Sequence, residues 1–202
     1  MKHSIFFILS VLFCFIAFSQ EKKSKITYGI KVGTTQSTLS PDVTYDNGAK
    51  SDFRYKTGFT FGGRIQFEAG KDILLLPELS LVGKGAKIFV SSGSGSYLDH
   101  SPTLSTFAEL TLNVLKQFSS SKGKFMLGGG PSLGINTDEY SQELGKSDIG
   151  INILAAYQLP IGFSFELNFN KGLKEQTGNI YYSSTPRKVK TSVFGFCLGY
   201  IF

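Results

Sequence analysis

The chain has 202 residues, 41% hydrophobic and 18% charged, a balance that excludes both a disordered chain and a polytopic helical membrane protein and fits one domain. Gly at 23 and Phe at 19, with no Trp, favour strands over helices. The net charge of +6 is scattered along the chain with no basic cluster interleaved with aromatics, so no nucleic acid partner is implied.

Residues 1–19 begin with Lys2, run through an apolar stretch from Ile5 to Phe18 and end on Ala17-Phe18-Ser19. That is the pattern of a secretory signal peptide cleaved before Gln20, and the apolar run is shorter than the roughly 20 residues needed to span a bilayer. Phe13 ahead of Cys14 is not the small residue a lipoprotein signal requires. The expected organisation is a signal peptide over 1–19 and one domain over 20–202, in which Cys197 stands alone and no intramolecular disulfide can form.

Beyond Gln20, period-two alternation recurs eight times. The segments are Ile26 to Val32, Phe59 to Ala69, Leu75 to Val82, Thr106 to Val114, Phe125 to Ile135, Ile149 to Leu159, Phe163 to Asn170 and Phe194 to Phe202. The seventh is the clearest, with Phe163, Phe165, Leu167 and Phe169 alternating with Ser164, Glu166, Asn168 and Asn170. Stretches of about ten residues with one apolar face suit tilted strands crossing a bilayer.

The connections alternate too. Gly70-Lys71-Asp72, Lys116 to Gly123 and Pro160-Ile161-Gly162 are short or modest, whereas Gln36 to Lys56, Gly83 to Ser101, Asn136 to Ser147 and Gly172 to Lys190 are long and polar. The expectation is an all-β fold, an eight-stranded antiparallel transmembrane β-barrel of up-and-down topology with short periplasmic turns and long extracellular loops. In that topology Tyr28, Tyr157 and Tyr200 face outward at the periplasmic rim, where amphipathic rings settle. A soluble barrel would invert the alternation. The bulky apolar face, the export signal and the terminal Tyr200-Ile201-Phe202 favour the membrane, the last being the shape by which barrel-insertion machinery recognises clients.

The polar face carries Lys31, Arg64, Glu68, Glu78, Glu109 and Glu166. Eight strands leave an interior that side chains fill, so these charges are expected to pair inside the barrel, with Asn113, Asn152 and Asn168 completing hydrogen bonds, rather than to line an open pore.

With these residues laid out, the chain resembles the outer-membrane β-barrel domain family common in Bacteroidetes and labelled PorT-like. The matching stretches are Tyr28-Gly29-Ile30-Lys31-Val32-Gly33, Thr57 to Gly63, Leu76-Pro77-Glu78-Leu79, Val82 to Gly85, Gly128-Gly129-Gly130-Pro131 and Phe196 to Phe202. The fourth segment departs from the family pattern at Phe107-Ala108-Glu109-Leu110-Thr111. The resemblance implies an outer-membrane barrel and leaves its role open, since one namesake takes part in protein secretion.

Little in the sequence points to catalysis. Asp99, His100 and Ser101 are adjacent, and a triad is built from separated positions that converge. Gly145-Lys146-Ser147 ends like a phosphate-binding loop, but Tyr140 stands where its first glycine belongs. Asp42, Asp46, Asn47 and Gly48 lack the later bidentate Glu of a calcium loop, and no metal or cofactor is implied. One long loop has a sharper reading: Lys174, Arg187, Lys188 and Lys190, with Tyr181 and Tyr182 among them and only Glu175 opposed, form a candidate anion-binding loop for lipid phosphate or an acidic surface polymer. The leading expectation is a noncatalytic outer-membrane barrel whose loops serve adhesion, envelope integrity or partner docking. Its expected partners are outer-membrane lipid, the insertion machinery and an envelope protein or surface polysaccharide. A secretion-machinery component and a lipid-modifying enzyme are the alternatives.

Overall fold

A computed structural model describes residues 26–40, 43–44, 50–91, 97–138, 144–178 and 187–202. The signal-peptide region, the aspartates of the calcium-like stretch, and Tyr140, Tyr181 and Tyr182 lie outside them. Among the described residues eleven strands follow one another: β1 (Ile26–Ser40), β2 (Val43–Thr44), β3 (Lys50–Arg54), β4 (Lys56–Glu68), β5 (Ile73–Ser91), β6 (Tyr97–Ser120), β7 (Gly123–Asn136), β8 (Ser147–Gln158), β9 (Phe163–Gly172), β10 (Gln176–Gly178) and β11 (Arg187–Ile201). Eight of them, β1, β4, β5, β6, β7, β8, β9 and β11, pair antiparallel in chain order. The pairing of β1 with β11, from Gly29 opposite Ile201 to Ser40 opposite Lys190, closes the ring. A closed barrel satisfies its backbone internally and has no edge, which is what a sheet needs to cross lipid.

Alternation sorts the side chains. On β8, Ile149, Ile151 and Ile153 are exposed, while Asp148, Asn152 and Leu154, of the opposite parity, are buried. Phe59, Phe61, Phe165, Leu167, Phe194 and Phe196 continue the exposed apolar band around the wall. The two ends differ. At the short-turn end the chain reverses at Leu159-Pro160-Ile161-Gly162, where the Gly162 amide donates to the Leu159 carbonyl at 3.0 Å. Pro160 supplies the fixed φ of the second turn position, and Gly162 takes φ 95°, which a side chain would resist. Tyr28 and Tyr157 are exposed at this end and Tyr200 is half-buried, its ring set edge-on against Phe163 at 5.0 Å and Phe202 at 5.3 Å.

At the other end the strands outrun the alternating segments. β1 continues through Ser40, β5 through Ser91 and β6 starts at Tyr97, so much of the polar stretch from Gly83 to Ser101 is a paired hairpin extension rather than loop. Past the bilayer both faces of a strand can be wet, so backbone pairing persists where the alternation of side chains has stopped.

Two prolines mark gaps in the ladder. Bridging between β4 and β5 skips Ile65 and Gln66 opposite Leu76 and Pro77, and between β6 and β7 it skips Leu112 and Asn113 opposite Gly130 and Pro131. Proline has no amide proton to donate, so a ladder fails on the side its nitrogen faces.

Candidate functional site

The interior is layered. At the short-turn end Leu74, Leu76, Leu115, Met126, Leu154 and Ala156 form a buried apolar cluster. At the long-loop end a second apolar cluster joins Leu39, Ala86, Phe107, Leu144 and Val189. The buried charges are held by two ion-pair groups.

The first group has two cations and two carboxylates. Lys31 Nζ lies 3.1 Å from Glu78 Oε1, and Arg64 Nη1 bonds Glu166 Oε1 while standing 3.9 Å from Glu78 Oε1. Arg64 Nη2 donates to Ser164 Oγ at 2.7 Å, and that hydroxyl donates to Glu166 Oε1 at 2.8 Å. Asn113 donates to Glu78 Oε2 at 3.1 Å and accepts from Asn152 at 2.9 Å. Every member is buried, so each charge has exchanged water for fixed partners. Gly199 makes room for the guanidinium: a Cβ there would fall on Arg64 Nη2 and 2.8 Å from Glu166 Oε1.

In the second group one cation faces two carboxylates. Lys84 Nζ sits 2.5 Å from Glu109 Oε2 and 3.0 Å from Asp148 Oδ2, with the Phe107 ring 5.2 Å away. The surplus negative charge is met by neutral donors. Thr191 donates to Asp148 at 2.7 Å, Gln176 to the same residue at 3.3 Å, and Asn170 to Glu109 at 3.2 Å. Between the groups lies a polar cavity of about 10 Å³, bordered by Lys31, Glu78, Lys84, Glu109, Asn152 and Asn168, with room for roughly one water.

Of the charges the alternation assigned to the interior, Lys31, Arg64, Glu78 and Glu166 stand together, and Glu109 belongs to the other group with Lys84 as its cation. Glu68 differs. It is the last residue of β4, about 40% exposed at the short-turn rim and 3.8 Å from Lys124, outside the apolar layer that closes the interior. Asn168 has a buried side-chain oxygen without a protein partner, and Asn170 makes the bonds to Glu109 and Ser132 instead. Lys84 and Asp148 were missed because each falls one step beyond its alternating segment. Their parity with Glu78, Ser80 and Val82, and with Gly150 and Asn152, was the available signal.

The cations of the last long loop are held separately. Lys174 Nζ donates to Ser147 Oγ at 2.5 Å, and Lys188 pairs with Glu175 at 2.8 Å in full exposure. The hydrogen bond and charge of Lys188 hold the Glu175 carboxyl below its ordinary value of 4.5. Arg187 opens β11 opposite Gly178, and Lys190, three residues further, is half-buried opposite Ser40. A neighbouring cation that the loop reading left out, Lys171 on β9, donates to Ser192 Oγ at 2.7 Å and to Ser40 Oγ at 3.1 Å across three strands. Asp99, His100 and Ser101 lie along β6, His100 opposite Ile88. No group of three metal-ligating side chains occurs among the described residues.

Residues 18–199 match the family of the outer membrane protein beta-barrel domain. The chain belongs to that family. Its strands therefore cross the outer membrane. Among solved structures it is similar to the outer membrane protein AlkL in lipid bilayers, at 14% identity and a TM-score of 0.52 over 91% of this chain and 93% of that one. It is also similar to Neisserial surface protein A, at 11% identity and 0.48 over 88% and 99%. OprG of Pseudomonas aeruginosa gives 14% identity and 0.46 over 89% and 97%. No curated protein matches its sequence.

Proposed function

We propose that this outer-membrane barrel is noncatalytic and works through its long-loop end, in adhesion, envelope integrity or the docking of an envelope protein or surface polysaccharide. The observation that supports this is the packed interior: among the described residues, apolar clusters at both ends bracket two ion-pair groups around a cavity of about 10 Å³, room for about one water rather than for a conduit. What can vary is the surface presented outside. There Lys174, Arg187, Lys188 and Lys190 supply the anion-binding character, drawn to lipid phosphate or an acidic polymer.

The test replaces Arg187, Lys188 and Lys190 together by Ser in the full chain. The barrel is expected to keep its heat-dependent gel migration while losing salt-sensitive binding to phosphorylated lipid or acidic polysaccharide. Unchanged binding, or binding indifferent to salt, contradicts the loop reading. The PorT-like resemblance supports a second role in secretion, for which the expected sign is co-purification with a large periplasmic complex. A lipid-modifying activity requires a changed lipid profile in His100→Ala.

A further inference from the structure

One cation on the outer wall is partnered unlike those inside. Lys171 is half-buried on β9, and its ammonium donates to two hydroxyls, Ser192 at 2.7 Å and Ser40 at 3.1 Å, with no carboxylate partner among the described residues. An ammonium has three donors, and two are used here. Each serine oxygen accepts from Lys171, which leaves its own O–H free to donate. One N–H and two O–H groups therefore surround one positive charge on the outward face, beside the half-buried Lys190 opposite Ser40.

Position decides what such a cradle faces. Lys171 pairs with Ile151 on β8 and with Ser192 on β11, and one outward step below lie Phe169 and its partner Phe194. Ile151, Phe169 and Phe194 are exposed members of the lipid-facing band. The cradle thus lies at the upper margin of that band, with Phe169 and Phe194 beneath it, the exposed Ile149 and Leu173 flanking it above on the β8 and β9 side, and polar residues above it on the β11 and β1 side. A ligand matching both parts is anionic at one end and acyl-chained at the other.

We propose that Lys171, with the hydroxyls of Ser40 and Ser192, binds the phosphate of an outer-leaflet glycolipid whose acyl chains lie over Ile151, Phe169 and Phe194. This rests on the reading that the long-loop end faces outside and meets anions, and it adds a site on the wall itself.

The full-length protein extracted from membranes into dodecylmaltoside is titrated with bisphosphorylated lipid A and with the same lipid dephosphorylated, and occupancy is read by native mass spectrometry. The phosphorylated lipid is expected to bind about tenfold tighter, as befits one charged hydrogen-bonded contact. Lys171→Gln should abolish that preference and Lys171→Arg should keep it, while Lys122→Gln in the opposite turn changes nothing. Lys171→Gln binding like the parent overturns the site. Displacement of lipid A by inorganic phosphate alone, or by heparin, at equal phosphate or sulfate concentration overturns the lipid as its occupant. If Arg187→Ser with Lys188→Ser loses binding while Lys171→Gln retains it, the site fails and the loop reading stands. If both bind like the parent, both fail.

Discussion

Lys84 on β5 and Lys171 on β9 both lie toward the long-loop end, on opposite sides of the ring, one inside the barrel and one outside. The inner lysine is buried between Glu109 and Asp148 at 2.5 and 3.0 Å. The outer one holds two serine hydroxyls and no described carboxylate. Inside, a charge removed from water must be matched by opposite charge fixed in place, because nothing mobile can reach it. Outside, at the membrane surface, full matching within the chain would remove the charge from use. The same residue type therefore serves folding in one place and recognition in the other.

The largest effect is expected where the inner matching is broken. Arg64→Ala strands Glu166 in the interior, leaving Glu78 with Lys31 alone, and should lower unfolding free energy by about 3 kcal/mol, measured by urea titration in phosphatidylcholine vesicles, whereas Lys122→Ala in an exposed turn changes it by less than about 0.5 kcal/mol. Equal losses would mean that the interior charges do not depend on one another. Adding Glu166→Gln to Arg64→Ala should recover part of the loss, since the stranded charge is then gone while Lys31 keeps Glu78.

Gly199→Ala tests the space around the same group. Its Cβ would displace the guanidinium from Glu166, and the expected cost is about 2 kcal/mol, in the range for overpacking a filled interior. An unchanged midpoint would show that Arg64 can bond elsewhere.

Much of this was legible in the sequence, and the boundary of legibility is physical. The eight segments announce themselves because lipid on one side and a packed interior on the other impose period two. Pairs such as Phe165 and Glu166 then differ as sharply as two residues can. The ends of the barrel gave no such signal. Where β5 runs on through Ser91, water reaches the outer face, and Lys84 reads as loop composition although its backbone is paired. Glu68 shows the opposite failure: parity placed it inside, yet a strand's last residue can turn to water at the rim. The apolar layers at both ends, Leu74 with Leu115 and Leu39 with Phe107, were equally hidden, since alternation says which face a residue takes and not how deep it lies.

The smallest effect concerns Glu175, at the long-loop rim. Its carboxyl is held low by Lys188, so the pairing is present above the ordinary value of 4.5 and is lost as pH falls through the lower folded-state value. A carboxyl NMR titration should place the Glu175 midpoint below 4.5 in the parent and return it toward that value in Lys188→Ala. A midpoint indifferent to Lys188 would remove the pairing, and overall stability should hardly move in either case because both groups are exposed.

The contrast between inner and outer lysines is tested most directly by measuring the unfolding free energies of Lys84→Gln and Lys171→Gln side by side in phosphatidylcholine vesicles. Lys84→Gln should lose about 3 kcal/mol, because Glu109 and Asp148 then face each other without a cation, and Lys171→Gln should stay within about 0.5 kcal/mol of the parent. Similar losses in the two variants, or a larger loss for Lys171→Gln, would contradict the division of the charges into those that hold the barrel and those that face its surroundings.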